Sequence, residues 1–122
     1  NEDYVYFGGY ETEQGMRGWE YLMNLPSPPT AIFSISDIIA IGAMNYALSK
    51  GYRIGKDLIF MGFDNIQYSH MFVPHLSTVE QPCYAQGKLV IEKLIENMKA
   101  TNPDHNLYTL PHSLVLREST GD

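Results

Sequence analysis

The sequence predicts an α/β domain with a mainly parallel sheet, and two patterns carry that prediction. Apolar runs suited to strands buried on both faces, Ala31 to Ile35 and Leu58 to Met61, alternate with stretches of helical periodicity. An acid follows each run, giving the order strand, acid-started helix, strand, acid through Asp37 and Asp64. Such alternation builds parallel strands joined through helices. Whatever follows each strand then collects at one sheet edge, where open α/β folds bind ligands.

The remaining elements follow in chain order. Tyr4 to Phe7 is an aromatic and β-branched run ended by Gly8-Gly9, read as a strand and turn. From Thr12, which can cap it, a helix is predicted by Met16, Trp19, Leu22 and Met23 at helical spacing. Pro26-Ser27-Pro28-Pro29 ends it. The helix begun at Asp37 runs to about Lys50 and stops at Gly51, with Ala40, Gly42, Ala43 and Ala47 slim enough to lie close on a sheet. A short helix is expected through Ser69–Met71, broken by Pro74, then an extended segment from Leu76 to Val79. Leu89, Ile91, Leu94, Ile95 and Met98 define the apolar side of a helix from Tyr84 to about Lys99. Asn102-Pro103-Asp104 is a turn, and Ser113 to Leu116 the last strand.

Composition narrows the function. At 122 residues the chain suits one domain with a single core. Eight basic against fourteen acidic residues give a formal charge of −6, a poor match for nucleic-acid phosphates. The longest apolar stretch, Ile38 to Met44, is far below the roughly 20 residues of a membrane span. The acidic start Asn1-Glu2-Asp3 does not read as an export signal, and a single cysteine, Cys83, fits a reducing compartment. No cofactor is expected. The histidines at 70, 75, 105 and 112 lack zinc-site spacing, and Gly8-Gly9 lacks the pattern and lysine of a phosphate loop.

The strand ends offer Tyr10, Ser36, Asp37 and Asp64: an aromatic face, a hydroxyl and two carboxylates. That set suits a polyhydroxyl ligand, whose ring C–H groups stack on Tyr10 while carboxylates accept from hydroxyls. Each residue also has a plainer role. Asp37 reads as a helix cap or a secondary ligand contact, Asp64 as a ligand contact or turn chemistry, and Tyr10 is one of nine tyrosines. An acid/base pair for glycoside hydrolysis is conceivable, but the context of the two acids does not favour it over hydrogen bonding to a sugar.

The motifs Pro29-Thr30-Ala31-Ile32-Phe33, Asp37 with Ala40-Ile41-Gly42-Ala43, Gly62-Phe63-Asp64-Asn65, Pro74 with Leu76-Ser77-Thr78-Val79, Gln81-Pro82, and Arg117 with Ser119-Thr120 occur across nearly the whole chain. In order and spacing they resemble the regulatory domain of the LacI/GalR family of bacterial transcription repressors. The resemblance implies a Rossmann-like lobe of a periplasmic-binding-protein-like fold, in which two lobes close on a small effector and homodimers are usual. It implies that Asp64 falls on the effector-binding acid and Tyr10 on a ring-stacking aromatic. Ser36 stands where several members have an effector-contacting Asn. It further implies that Ile38, Ile41 and Phe72 form a dimer interface.

Family members are more than twice as long and begin with a helix-turn-helix DNA reader. On that basis residues 1–80 are expected to form the C-terminal lobe. Residues 81–110 would be a crossover and helix of the N-terminal lobe, and 111–122 a return strand and tail. The implied function is effector sensing in a cytoplasmic repressor, with a sugar or sugar phosphate preferred, a purine possible, and operator DNA bound only through a domain outside this chain. The apolar side of the 84–99 helix would dock on its own lobe or be exchanged with a second copy. A transporter's solute-binding protein is the alternative, and a glycosidase-like enzyme a more remote one.

Overall fold

Three short runs become parallel strands, and the first two bury alternate residues, Ile32 and Phe60 among them, while Phe33 and Ile59 stay exposed. In the computed structural model, which describes residues 2–101 and 105–121, they are β1 (Ala31–Phe33), β2 (Ile59–Asp64) and β3 (Ser77–Glu80). β1 pairs with β2 and β2 with β3, both parallel, in the register Phe33↔Met61↔Ser77. With β4 (Ser113–Val115) the sheet order is β1-β2-β3-β4. The helices are α1 (Thr12–Met23), α2 (Asp37–Ser49) and α3 (Cys83–Lys99). The expected turn at 102–104 lies outside the described residues.

The chain divides into two compact units. The first runs to Glu80 and resumes at Leu114, and the second is Gln81–Ser113. The first holds the core, a single cluster joining Trp19 and Leu22 of α1, Ala40, Ala43, Met44 and Ala47 of α2, and Ile32, Leu58, Phe60 and Leu76 around the sheet. In the second, α3 buries none of its residues. Ile91, Leu94, Ile95 and Met98 are all exposed.

Tyr4 to Phe7 is not a strand. Glu2–Tyr4 is a 3₁₀ turn and Val5–Phe7 is irregular. A strand needs a partner to receive its backbone groups, and the described ladder does not include this segment. Its side chains attach it to α1 instead. The Tyr6 hydroxyl is 3.3 Å from Gln14 Oε1, and the ring packs on Gly18 and, at 5.6 Å between centroids, on Tyr21. The α1 cap position is Glu11 rather than Thr12, and its side chain makes no capping bond.

Helices α1 and α2 meet through reciprocal glycines. A Cβ at Gly15 would fall 2.0 Å from the Ile39 carbonyl oxygen, and one at Gly42 would fall 2.0 Å from that of Thr12. Gly42, expected to ease packing on the sheet, thus serves the other helix. Because the obstructing atoms are backbone, a rotamer change cannot relieve them. Gly42→Ala is expected to destabilise the chain by about 3 kcal/mol or more in urea unfolding, the upper range for overpacking. Gly87→Ala on α3, where a Cβ meets open space, should be neutral or stabilising by up to about 1 kcal/mol.

Candidate functional site

The parallel register sets the ends of β1 and β2 side by side, and the Ser34 amide donates to the Met61 carbonyl at 2.9 Å to carry the pairing one residue further. Ser36 and Asp37 follow β1, while Asp64 ends β2. The structure therefore brings Ser36, Asp37 and Asp64 to one edge. Tyr10, 72% exposed, stands before the first turn of α1.

Ser36, not Asp37, caps α2. A cap residue needs extended backbone, which Ser36 has (φ −152°, ψ 145°), and its Oγ accepts from the Ile38 amide at 3.3 Å. Asp37 is already inside the helix, and its fully buried carboxylate turns toward the sheet. There Oδ1 accepts from the Thr78 hydroxyl at 2.6 Å and Oδ2 from the Ile66 amide at 2.9 Å. Space for it exists because residue 62 is glycine: a Cβ there would lie 2.2 Å from Oδ1. Both oxygens thus serve the fold, and the readings of Asp37 as cap and as ligand contact give way to this internal role. Burial pushes its carboxyl above the usual range, against the two hydrogen bonds, with Asp64 adding to the rise and Arg117 opposing it.

Asp64 is half-buried and has φ 114°, and Asn65 follows with φ 54°. Positive φ at a non-glycine residue costs on the order of 1–3 kcal/mol and persists where the surroundings over-determine it. They do so here. The Asn65 amide donates to Thr78 Oγ1 at 3.3 Å, and its Nδ2 donates to Glu80 Oε1 at 2.9 Å. Its Oδ1 accepts from Arg117 Nη2 at 2.7 Å and from the Ser69 hydroxyl at 3.2 Å. Arg117 was visible in the sequence as part of a C-terminal motif but not as a neighbour of this corner. The signal was its place in a segment with Ser119 and Thr120, whose hydroxyls also reach into the sheet.

A cavity of about 410 Å³ lies elsewhere, lined by Phe7, Gln14, Trp19, Ile32, Phe33 and Ile35 among others. Ser36, Asp64 and Tyr10 are not part of its wall. A small groove runs between α2 and the 68–76 segment, lined by Ile41, Leu48, Tyr68, Phe72, Val73 and Pro74. Ile41 itself is buried in the core, whereas Ile38 is half-buried and Phe72 exposed. Among the described residues no group of three or more His, Cys, Asp or Glu could hold a metal ion. No helix among them is long and apolar enough to cross a membrane.

The first unit is an α/β domain that carries an acid at a strand's carboxyl edge, the place where open α/β sheets bind ligands. The chain belongs to the periplasmic binding protein-like domain family, whose model matches residues 1–120. It is 37% identical over 119 residues to the ribose operon repressor of Haemophilus influenzae, covering 98% of this chain and 36% of the relative. It is 33% identical over 117 residues to the HTH-type transcriptional repressor CytR of Escherichia coli, covering 96% and 34%. Among solved structures, a LacI family transcriptional regulator from Mycobacterium smegmatis superposes with a TM-score of 0.87 at 27% identity, covering 98% of this chain and 45% of that one. The chain spans about a third of the length of the curated relatives it matches.

The raised Asp37 carboxyl has a pH consequence. Such a group holds its proton more tightly folded than unfolded, so its contribution to stability falls as pH rises through the window between the ordinary value near 3.8 and the raised one. Melting temperatures from pH 7 down to pH 4 should therefore show the wild type gaining on Asp37→Asn as the solution is acidified. A difference that is constant with pH would show that this carboxyl does not titrate above its ordinary range.

Proposed function

We propose that this chain is the effector-sensing portion of a LacI-type repressor, and that it acts by binding rather than catalysis. The observation that carries the reading is Asp64, an acid held on a strained corner at the carboxyl end of β2. Its carboxylate accepts hydroxyl donors. Ser36, whose oxygen takes the cap bond, still carries a hydroxyl hydrogen to donate. The exposed Tyr10 ring supplies a stacking face. A sugar matches this set, and the repressor named for a ribose operon among the relatives supports that class. The rest of the protein would supply the opposite lobe, to which residues 81–110 belong on this reading, and the DNA-reading head. Its place of action is then the cytoplasm, where effector binding shifts the lobes and the change passes to operator DNA.

A thermal-shift panel of pentoses, hexoses, uronates, disaccharides, sugar phosphates and purine bases on the full-length protein tests the reading. At least one sugar should raise the melting temperature. Asp64→Ala should weaken its binding by about 10–100-fold, the weight of one hydrogen bond to a charged group. A hit that stabilises Asp64→Ala as well as wild type rules Asp64 out as the contact, and a purine or phosphate hit redirects the effector class.

The exposed residues Tyr68, Met71, Phe72 and Val73, with Ile38 beside them in the order of the α2 face, are the dimer surface on this reading. Ile41, mostly buried, lines the groove beside Phe72 and Val73 and forms the floor of that surface on this reading. Phe72→Asp would place a charge in an apolar contact, costing several kcal/mol. Analytical ultracentrifugation of the full-length variant should show a shift from dimer toward monomer. An unchanged sedimentation coefficient would remove Phe72 from the interface.

A further inference from the structure

The other positive φ values among the described residues are at Gly51, Gly55 and Gly121, where the missing Cβ makes them inexpensive. Asp64 and Asn65 take positive φ without that relief. Groups distant in sequence converge on the corner from two sides. On one side, Arg117 Nη2 donates to Asn65 Oδ1 at 2.7 Å. Its Nη1 donates to the Leu76 carbonyl at 2.6 Å and to Ser69 Oγ at 3.0 Å. On the other side, buried Asp37 accepts from the Ile66 amide and from Thr78, whose oxygen in turn accepts from the Asn65 amide. Three of these bonds reach residues 65 and 66, the two that follow Asp64 around the bend.

We propose that Arg117 and Asp37 are positioning residues for Asp64. They impose the turn from opposite sides, so that the Asp64 carboxylate is fixed in place before an effector arrives. The inference rests on the reading of Asp64 as the effector contact and deepens it. A planar guanidinium suits the task because its fork engages three acceptors on separate parts of the chain, which an ammonium cannot reproduce. Arg117 is itself anchored: its amide donates to Ser77 Oγ at 2.7 Å, and Ser119 after it donates to the Phe60 carbonyl at 2.7 Å. The C-terminal tail thereby becomes part of the binding edge, 52 residues along the chain from Asn65. Binding gains because an acid that is already placed loses little freedom when the ligand docks.

Hydrogen–deuterium exchange of the full-length protein reads the brace without any ligand. In Arg117→Met, amides at 64–66 should exchange about tenfold faster, while those at 12–23 stay within about twofold of wild type. Arg117→Lys should behave like Arg117→Met, since charge without the fork does not hold the corner. Unchanged exchange at 64–66 overturns the proposal, and so does an equal rise in both segments, which marks a general loss of stability. Should Arg117→Met not fold, Asn65→Ala removes one acceptor of the fork, leaves Arg117 on Leu76 and Ser69, and is read in the same way.

A second arm titrates D-ribose, together with any sugar that stabilised the wild type in the panel. Arg117→Met should weaken binding by about tenfold, and adding Asp64→Ala should cost less than it does in wild type. Fully additive losses would show that Arg117 does not act through Asp64. The exchange result can fail while Asp64→Ala still abolishes binding, and it can hold while Asp64→Ala leaves binding intact, so the two readings fall separately.

Discussion

The buried carboxylate of Asp37 is the interaction on which the first unit's geometry depends. An ionised group removed from water is costly unless hydrogen bonds replace its hydration. Thr78 and the Ile66 amide supply those bonds, and each comes from a different part of the chain. One group thus fixes the start of α2, the middle of β3 and the exit of β2 relative to one another. It also dictates the residue at position 62, because any side chain there would occupy the space of Oδ1. Removing the acceptor would leave the buried Thr78 hydroxyl and the part-buried Ile66 amide unpaired, at up to about 1–3 kcal/mol each.

Two further constraints complete the frame. The glycine crossing of α1 on α2 lets two helix backbones approach too closely for any Cβ, so backbone contact positions α1 together with the Trp19 and Leu22 side chains it buries. At the far side, the 3₁₀ turn Glu118–Thr120 sends the Ser119 hydroxyl between Phe60 and Ser77, where it donates to one and accepts from the other. Rigid surroundings of this kind make a strained corner sustainable. Asp64 and Asn65 keep unfavourable backbone angles because relaxing them would break bonds to Arg117, Glu80 and Thr78 together.

Much of this fold was legible in the sequence, and the exceptions share a physical cause. The parallel strands, α2 and α3 follow from apolar periodicity and from Gly51, whose φ of +86° suits a helix stop. Periodicity reports burial within an element, so it serves best where the element's own residues decide. Tyr4–Phe7 has the composition of a strand, but a strand also requires a neighbour, which composition does not register. Asp37 looked like a cap because caps are local, and Ser36 beside it is an equally good cap residue with the extended backbone the position needs. Its actual partners lie 29 and 41 residues away. Of the candidate site, the positions of Ser36 and Asp64 at or beyond strand ends were legible, whereas the Arg117 contacts were not, since they depend on how the C-terminus returns to the sheet.

The second unit makes the complementary point. α3 has 17 residues and two ion pairs along its surface, Lys88–Glu92 at 3.8 Å and Lys93–Glu96 at 2.7 Å. Exposed pairs of this type contribute about 0.3–0.5 kcal/mol. Helices near this length are marginal in water and depend on packing of an apolar face. With Ile91, Leu94, Ile95 and Met98 all exposed, the forces that would hold α3 must come from a surface it covers. On the proposed reading, the first unit, with its own core and strained corner, is one lobe, and α3, with its apolar residues exposed, is a contribution to another. That asymmetry supports the two-lobed reading independently of which residue meets the effector.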